Sequence, residues 1–128
     1  MLLPVAEAVE QIRKAFLDVL VDVREDGSGG AYVIVEQVQL GPKLTPQTTW
    51  MGGHVPPQFP YADVYPLFIG ADVRFSSGAP FAPPITSGHM FCGRSALQIS
   101  RKTNRLDPTL QTAACKFLKV LHWLTQQG

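Results

Sequence analysis

The stretch that decides the reading runs Pro80-Phe-Ala-Pro-Pro-Ile-Thr-Ser-Gly-His-Met-Phe-Cys92-Gly-Arg-Ser-Ala-Leu-Gln-Ile-Ser-Arg-Lys-Thr-Asn-Arg-Leu-Asp-Pro108. A proline-rich turn leads into a segment holding one His and one Cys. A second irregular segment follows, and Asp107-Pro108 then opens a helix. Asp is a good N-cap and Pro is well placed at the first helical position. A loop of this length in a compact domain is often functional. Chemistry, if the chain performs any, is expected here, with Cys92 as the first candidate.

Beyond that loop, Leu110, Ala114, Phe117, Leu121 and Leu124 make one apolar stripe, with Ala113 and Leu118 flanking it. Gln111, Lys116 and Lys119 are expected to face away, and Gly128 is expected to end the helix. Cys115 falls about 140° from Leu110 by the helical period, near the edge of the stripe, and reads as structural.

Before the loop, Val5, Val9, Ile12 and Phe16 recur at helical spacing, with Glu7, Glu10, Arg13 and Lys14 on the other face. This predicts a packing helix from Val5 to about Phe16, whose basic residues Arg13 and Lys14 are candidates for a partner. Leu17 to Glu25 alternates as a half-buried strand. Asp26-Gly-Ser-Gly-Gly30 is a hairpin connection, and Ala31 to Leu40 a second strand. Gln47 to Met51 is a third, ended by Gly52-Gly53. Prolines at 56, 57, 60 and 66 rule out a central strand there, and Phe59, Tyr61 and Tyr65 can pack this extended segment onto the sheet. Leu67 to Phe75 gives a fourth strand. The whole is expected to be one α+β domain over residues 1–128: an N-terminal helix, an antiparallel four-stranded meander, a proline-rich flap and long loop, and a C-terminal crossover helix packed on the sheet.

Composition narrows the function classes. The 128 residues are 45% hydrophobic and 16% charged, which suits a globular domain with its own core. A net charge of +1 gives no field for nucleic acid or an acidic membrane. No apolar run reaches the roughly 18 residues needed to span a bilayer, and the N-terminus lacks the basic start of a signal peptide. Two cysteines suggest free thiols in a reducing cytoplasm. The His and Cys residues have no recognised metal spacing, and no phosphate loop or Gly-x-Ser-x-Gly elbow occurs.

The order of elements, the segment Pro57-Gln-Phe-Pro-Tyr-Ala-Asp-Val-Tyr-Pro66 and Asp107-Pro108 resemble the ubiquitin-conjugating enzyme fold. Gly93-Arg94-Ser-Ala-Leu-Gln98-Ile-Ser100-Arg101 is similar to a motif of divergent bacterial conjugating-enzyme-like proteins. The resemblance covers most of the chain from about Phe16 onward. It implies that Cys92 accepts a ubiquitin-like protein as a thioester from an activating-enzyme-like adenylyltransferase and passes it to an amine, with no metal or cofactor of its own. The chain departs from the family pattern in one place: His89 is followed by Met90-Phe91 rather than Pro-Asn, and Cys92 comes only three residues later. Asn104, the single Asn, lies after the Cys. A second reading is therefore an inactive binding module or scaffold of the same fold, and a third is an adaptor unrelated to ubiquitin.

Each residue has two readings. Cys92 is either a nucleophile on a Gly-flanked loop, with room beside the sulfur, or a small buried hydrophobe. His89 either tunes Cys92 or holds the loop. Arg94, Ser100, Arg101 and Lys102 are either a surface for the ubiquitin-like partner or a solvated loop with internal anchors.

Overall fold

The computed structural model describes residues 1–103, 107–109 and 112–128. The order is α1 (Leu3–Ala15), β1 (Val21–Glu25), β2 (Ala31–Gln39), β3 (Leu44–Thr45), β4 (Thr48–Val55), β5 (Leu67–Gly70), β6 (Arg74–Phe75), β7 (Ile85–Phe91), β8 (Arg94–Ile99) and α2 (Ala113–Thr125). Six strands form one antiparallel sheet in the order β1-β2-β4-β5-β8-β7, with β1 and β7 at its edges. The strands β3 and β6 pair separately. The molecule is thus α+β. Among the described residues no helix is long and apolar enough to cross a membrane.

Both helices pack on one face of the sheet. Val5, Val9 and Ile12 of α1 and Phe117, Val120 and Leu124 of α2 share a core with Val33, Val35, Met51, Leu67, Ile69, Leu97 and Ile99. Strand alternation sends the intervening residues to the outer face. There Tyr32, Ile34 and Glu36 of β2 lie beside Trp50, Gly52 and His54 of β4 and Phe68 of β5.

The fold departs from the sequence reading at five points. The third strand, expected to end at Gly52-Gly53, runs on through both glycines to Val55. The alternation of Leu17 to Glu25 becomes strand only at Val21. Asp18 adopts φ 67, and Leu17 and Leu20 stand 72% exposed at the corner between α1 and β1. The expected fourth strand, Leu67 to Phe75, divides into β5 and β6, which join different sheets. The stretch expected to be an irregular loop holds the β7–β8 hairpin, so the main sheet has six strands. The helix expected from Asp107 begins instead at Ala113, where the Thr112 hydroxyl accepts from Cys115 N at 3.0 Å. Asp107 is occupied by the N–H and hydroxyl of Thr109. Leu110 and Gln111, like Asn104, lie outside the described residues.

Candidate functional site

Cys92 and Gly93 are the two central residues of the β7–β8 hairpin, between the paired residues Phe91 and Arg94. Their φ values are 49 and 78. Positive φ at both positions is the signature of the type I′ turn, whose twist matches that of paired strands. Gly93 adopts this conformation without steric cost, and no atom approaches within 4 Å of where its side chain would begin.

The ladder between β5 and β8 ends at Gly70↔Ala96, with one further bond from Ala71 N to Ser95 O. Past that point the hairpin bends over the outer face. Phe91 stacks on Phe68 with centroids 4.7 Å apart, lies 6.2 Å from Trp50, and meets Tyr32 edge-on at 6.1 Å. Gly52 forms the floor: a Cβ there would lie 2.6 Å from Phe91 Cε2. Ile34, Phe91 and Ala96 form a second small core, with Trp50, Phe68 and Cys92 packed against it.

Arg94 closes this arrangement. Its two terminal nitrogens donate to the two carboxylate oxygens of Glu36, each at 2.7 Å, and its guanidinium lies 5.4 Å from the Trp50 ring centroid. The Glu36 carboxyl is held below its ordinary range, chiefly by these hydrogen bonds. The β2 bulge between Val35 and Val38 places Glu36 opposite Trp50.

Cys92 is half-buried with a free thiol. Burial pushes that thiol up; the Arg24 and Arg94 cations pull it down and Asp22 adds to the rise. A thiol that stays protonated is a poor nucleophile. His89 does not relieve this. Its Nε2 is hydrogen-bonded to Thr86 Oγ1 at 2.9 Å, back along β7, and three residues of strand, about 10 Å of rise, separate His89 from Cys92.

The basic candidates also have internal partners. Ser100 Oγ accepts from Gln98 Nε2 at 3.0 Å. The Arg101 guanidinium stacks 4.5 Å from the Trp123 centroid, and Lys102 Nζ lies 5.2 Å from that of Tyr65. Arg13 pairs with Glu10 at 2.6 Å on an exposed helix face, and Lys14 is exposed beside it. Arg13 shares a cleft with the projecting Leu17 and Leu20, and a second cleft of about 400 Å³ beside it is lined by Phe16, Leu17, Val19, Val38 and Leu121 among others.

Two side-chain networks link segments distant in the sequence. Lys116, expected to face away, is 5% exposed. Its Nζ donates to Asp63 Oδ2 at 2.9 Å, to the Arg101 carbonyl at 2.6 Å and to Thr103 Oγ1 at 3.3 Å. Asp63 also accepts from Thr103 N and Oγ1. This hub ties the proline-rich crossover, the 101–103 segment and α2 together. His54, half-buried on β4, donates from Nε2 to Asp26 Oδ2 at 2.7 Å and stacks on Tyr32. Asp26 also accepts from Ser28 N and Gly30 N, so the hairpin connection is pinned. No family model, curated protein or solved structure matches this chain.

Proposed function

We propose that this chain is a conjugating-enzyme-like binding module that holds a ubiquitin-like protein without carrying it as a thioester. What carries this reading is the state of Cys92: it serves as a tight-turn residue, its thiol is raised by burial, and His89 is engaged elsewhere. Nucleophilic catalysis needs the opposite, a thiol activated by a nearby base or a lowered pKa. In this reading β1, β2, β4 and β5, which are neighbours in the sheet, correspond to the four-stranded meander of the fold family, and the β7–β8 hairpin extends it. The Gly93-to-Arg101 motif then serves architecture, through Glu36 and Trp123. The docking surface is the corner where Leu17 and Leu20 project beside Arg13 and Lys14, since exposed apolar side chains grouped with charge mark interaction sites. The setting is the bacterial cytoplasm, with an adenylyltransferase that activates the ubiquitin-like protein as a second partner.

One observation favours the thioester carrier as a second reading: Cys92 is only half-buried, with open space beside Gly93. A single experiment separates the two. The protein is mixed with an activating-enzyme-like adenylyltransferase, a ubiquitin-like protein and ATP, and adducts are resolved on a non-reducing gel. Binding of the ubiquitin-like protein alone is followed by titration. The expected result is no thiol-sensitive adduct, together with saturable binding weakened at least tenfold by Leu17→Asp or Leu20→Asp. An adduct lost in Cys92→Ala and kept in Cys115→Ala overturns the binding-module reading in favour of the carrier.

A further inference from the structure

Beyond the backbone bond from Ala71 N to Ser95 O, the tip of the β7–β8 hairpin meets the outer sheet face through the side chains of Phe91 and Arg94. Its strand pairing is confined to the hairpin itself, and the β8 ladder to β5 stops two residues short of Arg94. Yet the surface beneath is shaped to receive it. Gly52 leaves the space that the Phe91 ring fills, Phe68 and Trp50 stack with that ring, and Glu36 sits where a guanidinium must end. The only ion pair from the tip to the sheet, among the described residues, is Arg94–Glu36, whose side chains are about one-third and one-quarter exposed. At the hairpin's base, β7 carries a pairing irregularity between Thr86 and His89 and a glycine at φ 83, Gly88, with open space around it. Met90, beside the plug, is 63% exposed.

We infer that the hairpin tip is a latched strap that occupies a groove for an aromatic side chain, and that parting Arg94 from Glu36 uncovers this groove to a protein segment presenting a ring and a cation. The strap is thus a ligand built into the chain: Phe91 is the ring and Arg94 the cation. Gly88 and the adjacent irregularity supply the bend. Trp50, Phe68 and Ile34 form the walls left exposed on release. This inference stands on the outer face and does not depend on the corner proposed above for the ubiquitin-like partner.

The test uses the chain with Cys115→Ser and Trp123→Phe, which leaves Cys92 and Trp50 as the only thiol and the only tryptophan. Into it goes Arg94→Gln, which cuts the latch and leaves the groove intact. Arg94 pulls the Cys92 thiol down, so removing it from a closed strap slows alkylation of Cys92 by iodoacetamide. Opening does the reverse. The expected result is at least a threefold faster alkylation at fixed pH, with greater acrylamide quenching of Trp50 and an unchanged far-ultraviolet circular dichroism spectrum. A cyclic hairpin peptide of the 89–96 sequence, with Asn in place of the Cys, is expected to bind Arg94→Gln saturably and the latched chain at least tenfold more weakly. If Arg94→Gln does not fold, raising NaCl from 0.1 to 1 M on the latched chain screens the pair instead and should increase both signals. Slower or unchanged alkylation with unchanged Trp50 quenching overturns the strap. Equal binding of the peptide to both chains overturns the groove.

Discussion

Cys92 sits at a backbone position that suits Asn or Gly better than Cys. A β-carbon in the left-handed region costs roughly 1–2 kcal/mol, which Asn offsets by local hydrogen bonding, and Asn-Gly is the preferred pair for this turn. If Cys92 serves the turn and not catalysis, Cys92→Asn should stabilise the protein by about 0.5–1 kcal/mol, seen as a Tm raised by a few degrees. A lower Tm would mean that the thiol contributes packing on the outer face that the amide cannot replace. The turn was legible in principle: Cys-Gly stands between His89-Met90-Phe91 and the run Arg94 to Ile99, and a residue followed by Gly between two alternating runs is a hairpin signal. Pro80, Pro83, Pro84 and Gly88 masked it by breaking the first run. Lys116 was also placed by its spacing, three residues after Ala113 and four before Val120, both buried. Only its charge argued for solvent, and a carboxylate distant in sequence, Asp63, decided otherwise.

At the scale of elements, the Asp63–Lys116 hub joins three segments that the strand ladders leave unconnected. Removing one member of a buried ion pair leaves the other charge without compensation and typically costs 3–5 kcal/mol. Asp63→Ala, which strands the buried Lys116 ammonium, is therefore expected to lower stability by about 3 kcal/mol in urea unfolding. The double change Asp63→Asn with Lys116→Met should cost clearly less than the sum of the single changes, because the stranded charge disappears. Additive costs would show that the two side chains act separately. Element boundaries were readable where the period was clean, as in α1 and β2. They failed where tertiary contacts set them. The corner at Leu17 to Leu20 continues a strand-like alternation, yet the chain turns at Asp18. The start of α2 was assigned to Asp107-Pro108 on a valid capping pattern, while the Thr112 hydroxyl forms the cap.

At the scale of the molecule, three carboxyls among the described residues lie below their ordinary range in the folded state. His54 and the backbone N–H groups of Ser28 and Gly30 lower Asp26, Arg94 lowers Glu36, and Thr109 lowers Asp107. Unfolding returns each to its ordinary value, so the unfolded chain binds protons first as pH falls. The stability they contribute is complete above the ordinary carboxylate pKa and is lost as pH drops through the depressed values. Thermal unfolding followed against pH should therefore show Tm falling below about pH 4, with a shallower fall in Asp26→Asn. An identical slope in that variant would remove Asp26 from the account. The α+β layering was legible because helical and strand periods differ and all helix stripes need one apolar sheet face. The use of the other face was not, since Phe91, Gly52, Glu36 and Arg94 are far apart in the sequence and no periodicity links them.

Both margins of the sheet are guarded. β1 is only five residues long and carries Asp22, Arg24 and Glu25, while β7 is kinked by Gly88 and its shifted register. Short length, charge and irregularity are the devices that keep a bare margin from templating foreign strands. Neither border offers a straight row of backbone donors and acceptors, so recruitment by strand extension is discouraged. Encounters are steered to side-chain surfaces, where shape and charge can discriminate one visitor from another.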